Sequence, residues 1–156
     1  MFAIPFVEVF ASGVPEDRKK LICEQLVAAV MEGEGAPDSA AARAISWLVW
    51  QELSAWSIGG QPVSPTEAPR YLVRISVPAG SLTEQRNAEI IRRATAVLAA
   101  ADDHPDRLYQ EPVAWVQVID IAEGAWGAFG RPVRFPEIAS YVATGAFAPA
   151  STHRGA

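Results

Sequence analysis

A nine-residue pattern that occurs twice is the feature that most constrains the fold of this 156-residue chain. Residues 55–63 and 125–133 both read A-W-x-x-x-G-x-P-V, at an offset of 70 residues. Each copy ends a segment that begins with a proline and an apolar run. A repeat of this size is typical of one supersecondary unit used twice. We therefore predict two βαβ units, over residues 5–63 and 69–133.

In the first unit, apolar and turn-forming residues predict the order strand, helix, strand and hairpin. Apolar residues alternate around Val7 and Val9, which predicts a strand. Pro15 suits the first position of a helix that ends near Gly33. Residues 45–50 are rich in β-branched and aromatic side chains, which predicts the second strand. The glycines of the repeated pattern then indicate a tight hairpin or a bulge.

The second unit repeats this order. We predict a strand over residues 71–77, a helix capped by Thr83, a polar loop over 102–112 and a strand over 113–121. Beyond the second hairpin, we expect a short helix over residues 136–141.

Two βαβ units predict an α+β fold, in which a four-stranded mixed sheet carries two helices on one face. We place this domain over residues 1–145 and expect a flexible tail at 146–156. The other face of the sheet would present Phe6, Phe10 and Leu72. An apolar patch of that size is uncommon on a monomer, so we expect other subunits to cover it.

The composition excludes several classes of function. The net charge is −5 and the 13 Lys and Arg residues are scattered, which argues against a nucleic-acid partner. Cys23 is the single cysteine, so an internal disulfide is excluded. His104 and His153 have no partners at metal-ligand spacing, and no phosphate-binding loop or G-x-S-x-G motif is present, so we expect neither a metal nor a cofactor. With no apolar stretch long enough to span a membrane and no recognisable signal peptide, we expect a cytoplasmic protein without membrane contact.

The order of these elements resembles the tautomerase superfamily. The segment V-P-A-G-S-L-T-E-Q-R at residues 77–86 is similar to the loop and helix start of 4-oxalocrotonate tautomerase-like proteins. The segment A-W-G-A-F-G at residues 125–130 stands where that family has its hairpin aromatic. Family members with two fused units are similar to macrophage migration inhibitory factor and the chloroacrylate dehalogenases. The resemblance implies a homotrimer that acts without a cofactor on a small carbonyl compound.

The resemblance also implies a catalytic base, an amino-terminal proline whose secondary amine removes a proton beside a carbonyl. Pro5 occupies this position, but four residues precede it in the sequence, and an amide nitrogen is not basic. Pro5 is therefore the expected base only if it is exposed at the amino terminus. Pro69 is internal and is expected to be structural.

The arginines with which the family binds a carboxylate are missing from the matching positions. Val14 and Ser81 stand in the loops, and Trp47 and Trp115 stand in the second strands. We therefore expect an aromatic pocket rather than a dicarboxylate clamp. The candidate pocket residues are Trp47, Trp56, Trp115, Trp126, Arg70 and Arg74.

Glu52 and Asp120, at matching strand ends, are candidate acid or base groups. Each of these candidates has a structural alternative. The tryptophans could simply pack against a neighbouring subunit, the arginines could pair with carboxylates such as Glu8, and strand-end charges are commonly solvated.

The leading functional hypothesis is keto–enol isomerisation, or a related proton-transfer or hydration step, on a small carbonyl compound. The first alternative is a catalytically silent member of the superfamily that binds a ligand or a partner, because Pro5 is not amino-terminal in the sequence. A second alternative is an unrelated ferredoxin-like α+β domain, although such a domain does not need matched hairpins.

Overall fold

The computed structural model describes residues 5–147, which form eight strands and five helices. The strands are β1 (Phe6–Ala11), β2 (Trp47–Glu52), β3 (Ser57–Ile58), β4 (Gln61–Pro62), β5 (Tyr71–Pro78), β6 (Ala114–Ile121), β7 (Gly127–Ala128) and β8 (Arg131–Pro132). The helices are α1 (Glu16–Glu34), α2 (Ala40–Ile45), α3 (Glu84–Ala100), α4 (Arg107–Gln110) and α5 (Phe135–Thr144). Residues 1–4 and most of the predicted tail, 148–156, lie outside the described residues.

The main sheet has four strands in the order β2–β1–β5–β6. Within each unit the two strands are parallel, as a βαβ connection requires, and the central β1–β5 pair that joins the units is antiparallel. Two further two-stranded hairpins, β3–β4 and β7–β8, contain the repeated pattern. The predicted α+β fold with a four-stranded mixed sheet is confirmed.

The core lies between the sheet and the pair of helices α1 and α3. Alternate residues of the central strands, among them Val9 and Val73, are fully buried on this side, together with Ile22 and Ile90 of the helices. Burial of each such side chain contributes about 1.5–3 kcal/mol to folding. At Gly33 the helices come so close that an added Cβ atom would stand 2.7 Å from Cγ1 of Ile90.

Several element boundaries differ from the sequence predictions. Pro15 has a ψ of 148° and precedes α1 as its cap residue instead of forming its first turn. Strand β2 begins at Trp47, because Ile45 ends α2, a short helix that the sequence patterns did not predict. The hydroxyl of Ser39 caps α2 by accepting a hydrogen bond from the backbone N–H of Ala42 at 3.1 Å. The polar loop at 102–112 likewise contains the short helix α4.

A second apolar cluster joins α5 to α2 and to the end of α1. It contains Met31, Ala42, Val133, Phe135, Ile138 and Val142. Helix α5 extends the predicted short helix by one residue at its start and by three at its end. Its first turn is held by Glu137, whose carboxylate accepts a hydrogen bond from the backbone N–H of Arg134 at 2.6 Å. Among the described residues, no helix is long and apolar enough to cross a membrane.

The face of the sheet opposite α1 and α3, here called the outer face, includes three residues of each strand that pair across all four strands. In register they form the rows Trp47–Phe6–Ser76–Ile119, Val49–Glu8–Arg74–Gln117 and Gln51–Phe10–Leu72–Trp115. Apolar and aromatic residues thus occupy both ends of this face, as the alternation in the sequence predicted.

Candidate functional site

Each hairpin reaches across to the other βαβ unit and closes a pocket there. The β7–β8 hairpin of the second unit faces Phe6 and Trp47 of the first. The β3–β4 hairpin of the first unit faces Arg70 and Trp115 of the second. The molecule therefore has two related cavities at opposite ends of the central strand pair, and each one combines residues from both units.

Both hairpins turn through the same backbone conformation. The two turn residues of the first hairpin, Gly59 and Gly60, have φ values of 59° and 81°. Those of the second, Phe129 and Gly130, have φ values of 56° and 71°. Two successive positive φ values are the requirement of a type I′ hairpin turn. Phe129 is the only non-glycine residue of the described chain with a positive φ, and its ring packs edge-on against Phe147 at 5.2 Å.

Pocket I, at the start of β1, has a volume of about 330 Å³. Its lining residues are Phe6, Ile45, Trp47, Trp126, Gly127, Ala128, Phe129, Val133, Ile138 and Phe147. The ring of Phe147 stacks on that of Tyr141 at 4.3 Å, so α5 and the residues that follow it form one wall. None of these described lining residues carries a charge, which makes pocket I an apolar, aromatic cavity.

The indole N–H of Trp126 differs from that of its counterpart in the other hairpin. Trp56 donates a hydrogen bond to the hydroxyl of Ser12 at 3.2 Å. Trp126 has no such partner among the described residues, although its backbone carbonyl accepts the hairpin-closing bond from Val133 at 2.8 Å. The indole N–H of Trp126, a residue that lines pocket I, is therefore without a hydrogen-bond partner among the described residues.

Pro5 directly precedes Phe6, which lines pocket I, and Pro5 itself is buried. In the sequence its nitrogen forms an amide bond with the residue before it. The proline position that the resemblance singles out thus lies next to pocket I without being one of its described lining residues.

Pocket II, at the start of β5, has a volume of about 510 Å³. Its lining residues are Phe10, Leu53, Trp56, Ser57, Ile58, Arg70, Tyr71, Leu72, Pro112, Val113 and Trp115. Arg70 is their one charged member. Its guanidinium donates through Nη1 to Oε2 of Glu67 at 3.0 Å.

The structure divides the candidate pocket residues between the two cavities. Trp47 and Trp126 line pocket I, whereas Trp56, Trp115 and Arg70 line pocket II. Arg74 lines neither pocket and stands opposite Glu8 in the middle row of the outer face. Sequence patterns did not single out Phe129 and Phe147 of pocket I, because contacts between distant segments leave no local periodicity.

The two candidate acid or base groups lie outside both pockets. Although partial burial would raise the pKa of Glu52, the hydrogen bonds from Lys19 at 3.0 Å and from the Trp50 indole at 2.9 Å lower this pKa overall. A carboxylate held in its charged form is a weak base at neutral pH. Asp120 is exposed near the end of β6.

Two further carboxyl groups are buried away from the pockets. Asp102 is bound by Arg107, with Nη2 and Oδ2 2.9 Å apart, and by the hydroxyl of Tyr71 at 3.4 Å. Both carboxyl oxygens of Glu34 lack a hydrogen-bond partner among the described residues, and burial raises the pKa of this group to about 8. Within residues 5–147, no group of three His, Cys, Asp or Glu side chains could hold a metal ion.

Comparison with known proteins identifies the fold. No family model and no curated protein matches the chain. A wild-type fused 4-OT solved as an asymmetric trimer is similar over 81% of this chain and 94% of its own, with 24% identity and a TM-score of 0.64. A member of the cis-3-chloroacrylic acid dehalogenase family is similar over 89% and 91%, with 16% identity and a TM-score of 0.65. A macrophage migration inhibitory factor-like protein from Entamoeba histolytica is similar over 83% and 99%, with 16% identity and a TM-score of 0.58. The chain thus has the tautomerase superfamily fold, as its sequence predicted.

Proposed function

We propose that the protein catalyses a cofactor-free proton transfer, the keto–enol isomerisation of a small carbonyl compound, in pocket I. The observation that carries this proposal is the aromatic cavity that begins at Phe6, the residue after Pro5, and that residues of both units enclose. In this fold the start of the first strand is the position at which the resemblance expects a basic proline.

Pro5 would act as the base only after cleavage of the bond that precedes it. A free terminal amine ordinarily has a pKa of about 8, and apolar surroundings disfavour its charged form. With only uncharged side chains lining pocket I, the pKa of such an amine would fall toward neutrality. The amine could then take the proton from an enol hydroxyl and deliver it to the α-carbon, so that the O–H bond breaks, the carbonyl forms and a C–H bond is made.

Trp126 would stabilise the oxygen that becomes negative during this transfer. Its indole N–H has no partner among the described residues, and a donor at such an oxygen is among the strongest contributions to catalysis. Because pocket I lacks a charged side chain, we expect substrates with an apolar or aromatic body rather than dicarboxylates.

We further propose that the protein assembles as a homotrimer through the outer face. The fused 4-OT with a similar fold is a trimer. Phe10 and Leu72 lie side by side on the outer face, away from α1 and α3. Burial of their apolar area between subunits would favour association.

The alternative function is a silent binding module that retains pocket I without turnover. The observation that favours it is Pro5 itself, which is buried and whose nitrogen is an amide in the sequence as it stands. Both proposals give pocket I the same ligands, and they differ in whether a free amine forms.

The test combines intact-mass measurement with an assay of phenylpyruvate enol–keto conversion. We expect the full sequence to be inactive and a version beginning at Pro5 to be faster by about 10²–10⁴-fold, the usual contribution of a general base. Pro5→Ala in that version should remove most of the gain. Trp126→Phe should lower its rate about 10-fold or more, while Trp50→Phe, a matched change outside both pockets, should not.

Two results would contradict the proposal. The first is a full-length protein that mass measurement shows to be intact and that is active and insensitive to Pro5→Ala. The second is a folded version beginning at Pro5 that remains inert, which would favour the binding module.

A further inference from the structure

We propose that pocket II is a second ligand site, which binds a small aromatic monocarboxylate independently of any reaction in pocket I. The two cavities arise from the same repeat, but they differ in size, in charge and in what closes them. These differences identify the ligand that pocket II fits.

The walls of pocket II suit a flat apolar group. Trp56 enters from the β3–β4 hairpin and Trp115 from β6, and Phe10 and Leu72 form the floor between them. In the single chain, Trp115 is 64% exposed. A cavity of about 510 Å³ lies within the range of small-molecule sites, and aromatic rings pack favourably on tryptophan.

Arg70 gives this apolar pocket one positive charge. Its side chain is 30% exposed, and a single contact of 3.0 Å with Glu67 anchors one guanidinium nitrogen. A guanidinium has five N–H donors, and Arg70 makes no further side-chain hydrogen bond to the described residues. The remaining donors can therefore bind a carboxylate through charge-assisted hydrogen bonds, which are stronger beside apolar walls than in water.

Pocket I provides the internal comparison. When the two units are aligned on Pro5 and Pro69, Phe6 of pocket I corresponds to Arg70 of pocket II. Pocket I is also walled by α5 and Phe147, whereas no equivalent helix lines pocket II. The preference for an anion is therefore specific to pocket II.

The experiment is calorimetric titration of the full-length protein with phenylacetate and with its neutral isostere phenylacetamide, supported by tryptophan fluorescence. We expect phenylacetate to bind at least 10-fold more tightly than the amide. Arg70→Gln should weaken phenylacetate binding about 10- to 100-fold, the usual effect of losing hydrogen bonds to a charged group. Arg92→Gln, which removes an exposed arginine of α3, is the matched control and should leave the affinity unchanged.

A second pair of measurements locates the site. Trp115→Phe should remove most of the ligand-induced fluorescence change. Added salt should lower the affinity for phenylacetate and leave the affinity for phenylacetamide unchanged. Equal affinity for the two ligands in the unmodified protein would overturn the proposal, and this comparison does not depend on the folding of a variant. Unaltered binding by folded Arg70→Gln would also overturn it. No binding at millimolar phenylacetate would do the same and would indicate that a neighbouring copy of the chain fills the pocket.

Discussion

The helices α1 and α3 bury equivalent positions along most of their length and differ at their carboxyl ends. When the sequence of α1 is aligned with that of α3 at an offset of 68 residues, Ile22 corresponds to Ile90, and both are fully buried. At the same offset, Glu34 corresponds to Asp102. Each unit thus directs a carboxyl group into the protein where its helix ends, close to the negative end of the helix dipole.

The two carboxyl groups meet different surroundings. Asp102, with only 3% of its side chain exposed, is bound by Arg107, which the short helix α4 supplies five residues later. In the first unit, α2 supplies Arg43 instead, but this arginine pairs with Asp38 at 2.5 Å. The carboxyl group of Glu34 is left without a hydrogen-bond partner among the described residues, although its backbone carbonyl accepts a bond from Nη1 of Arg86 at 2.9 Å.

The comparison teaches that two helices with the same burial pattern can place their buried carboxyl groups in different electrostatic surroundings. The partner of each carboxyl group would come from the segment that follows its helix, and these segments differ between the units. The buried charge in the second unit is compensated, so its removal should be costly. The buried acid in the first unit is uncompensated, so its burial should become much more costly when it ionises.

The largest expected effect is that of Asp102→Ala. It would leave the guanidinium of Arg107, itself only 14% exposed, without its carboxylate. We expect the free energy of unfolding to fall by about 3–5 kcal/mol, as measured by urea denaturation. Asp103→Ala is the matched control, because Asp103 is exposed and solvent screens its ion pair with Arg18, so this change should have little effect on the free energy of unfolding. A loss from Asp102→Ala that is no larger than the control would remove the contrast between the two helix ends.

The next effect is the pH dependence that Glu34 introduces. Because burial raises the pKa of this group to about 8 in the folded state, the folded protein holds a proton that the unfolded chain has lost above its ordinary pKa of 4.5. The contribution of protonated Glu34 to the free energy of unfolding is therefore fully present below about pH 4.5. It is lost as the pH rises toward 8, and above pH 8 it decreases no further.

Between pH 5 and 7.5 we expect Glu34 to lower the free energy of unfolding by about 2–3 kcal/mol. Urea denaturation at several pH values would measure the slope, and Glu34→Gln should abolish most of it. A slope that is the same in both proteins would mean that Glu34 finds a compensating partner when it is charged.

The smallest effect concerns the contact between the helices. Gly33 corresponds to Ala101 at the same offset, so Gly33→Ala would make the two units alike at this point. The new methyl group would meet Cγ1 of Ile90 at 2.7 Å. We expect a loss of about 1–2 kcal/mol, because overpacking outweighs the gain of alanine in a helix.

Thermal denaturation of Gly33→Ala, compared with the double variant Gly33→Ala and Ile90→Val, tests this cause. The added change should recover part of the loss by making room for the methyl group. A further decrease equal to the effect of Ile90→Val alone would show that the two sites do not interact.

Local patterns were sufficient for most of the secondary structure. Alternation placed Val9 and Val73 on the buried face, and the cap at Thr83 is present, with its hydroxyl accepting from the backbone N–H of Arg86 at 3.2 Å. The short helix α2 was missed because residues 40–45, largely alanine, have too few apolar side chains to define a period. Strand β2 was accordingly predicted two residues too early.

The sequence by itself determined the duplicated βαβ plan, the mixed sheet and the two hairpins, because periodicity and turn chemistry act over a few residues. Only the tertiary structure decided that each hairpin closes a pocket on the other unit, which separates Trp56 from Trp126. It also decided that Phe147 joins pocket I and that the carboxyl group of Glu34 is buried without a hydrogen-bond partner among residues 5–147. These outcomes depend on which segments, far apart in the chain, come into contact, and no local pattern encodes that choice.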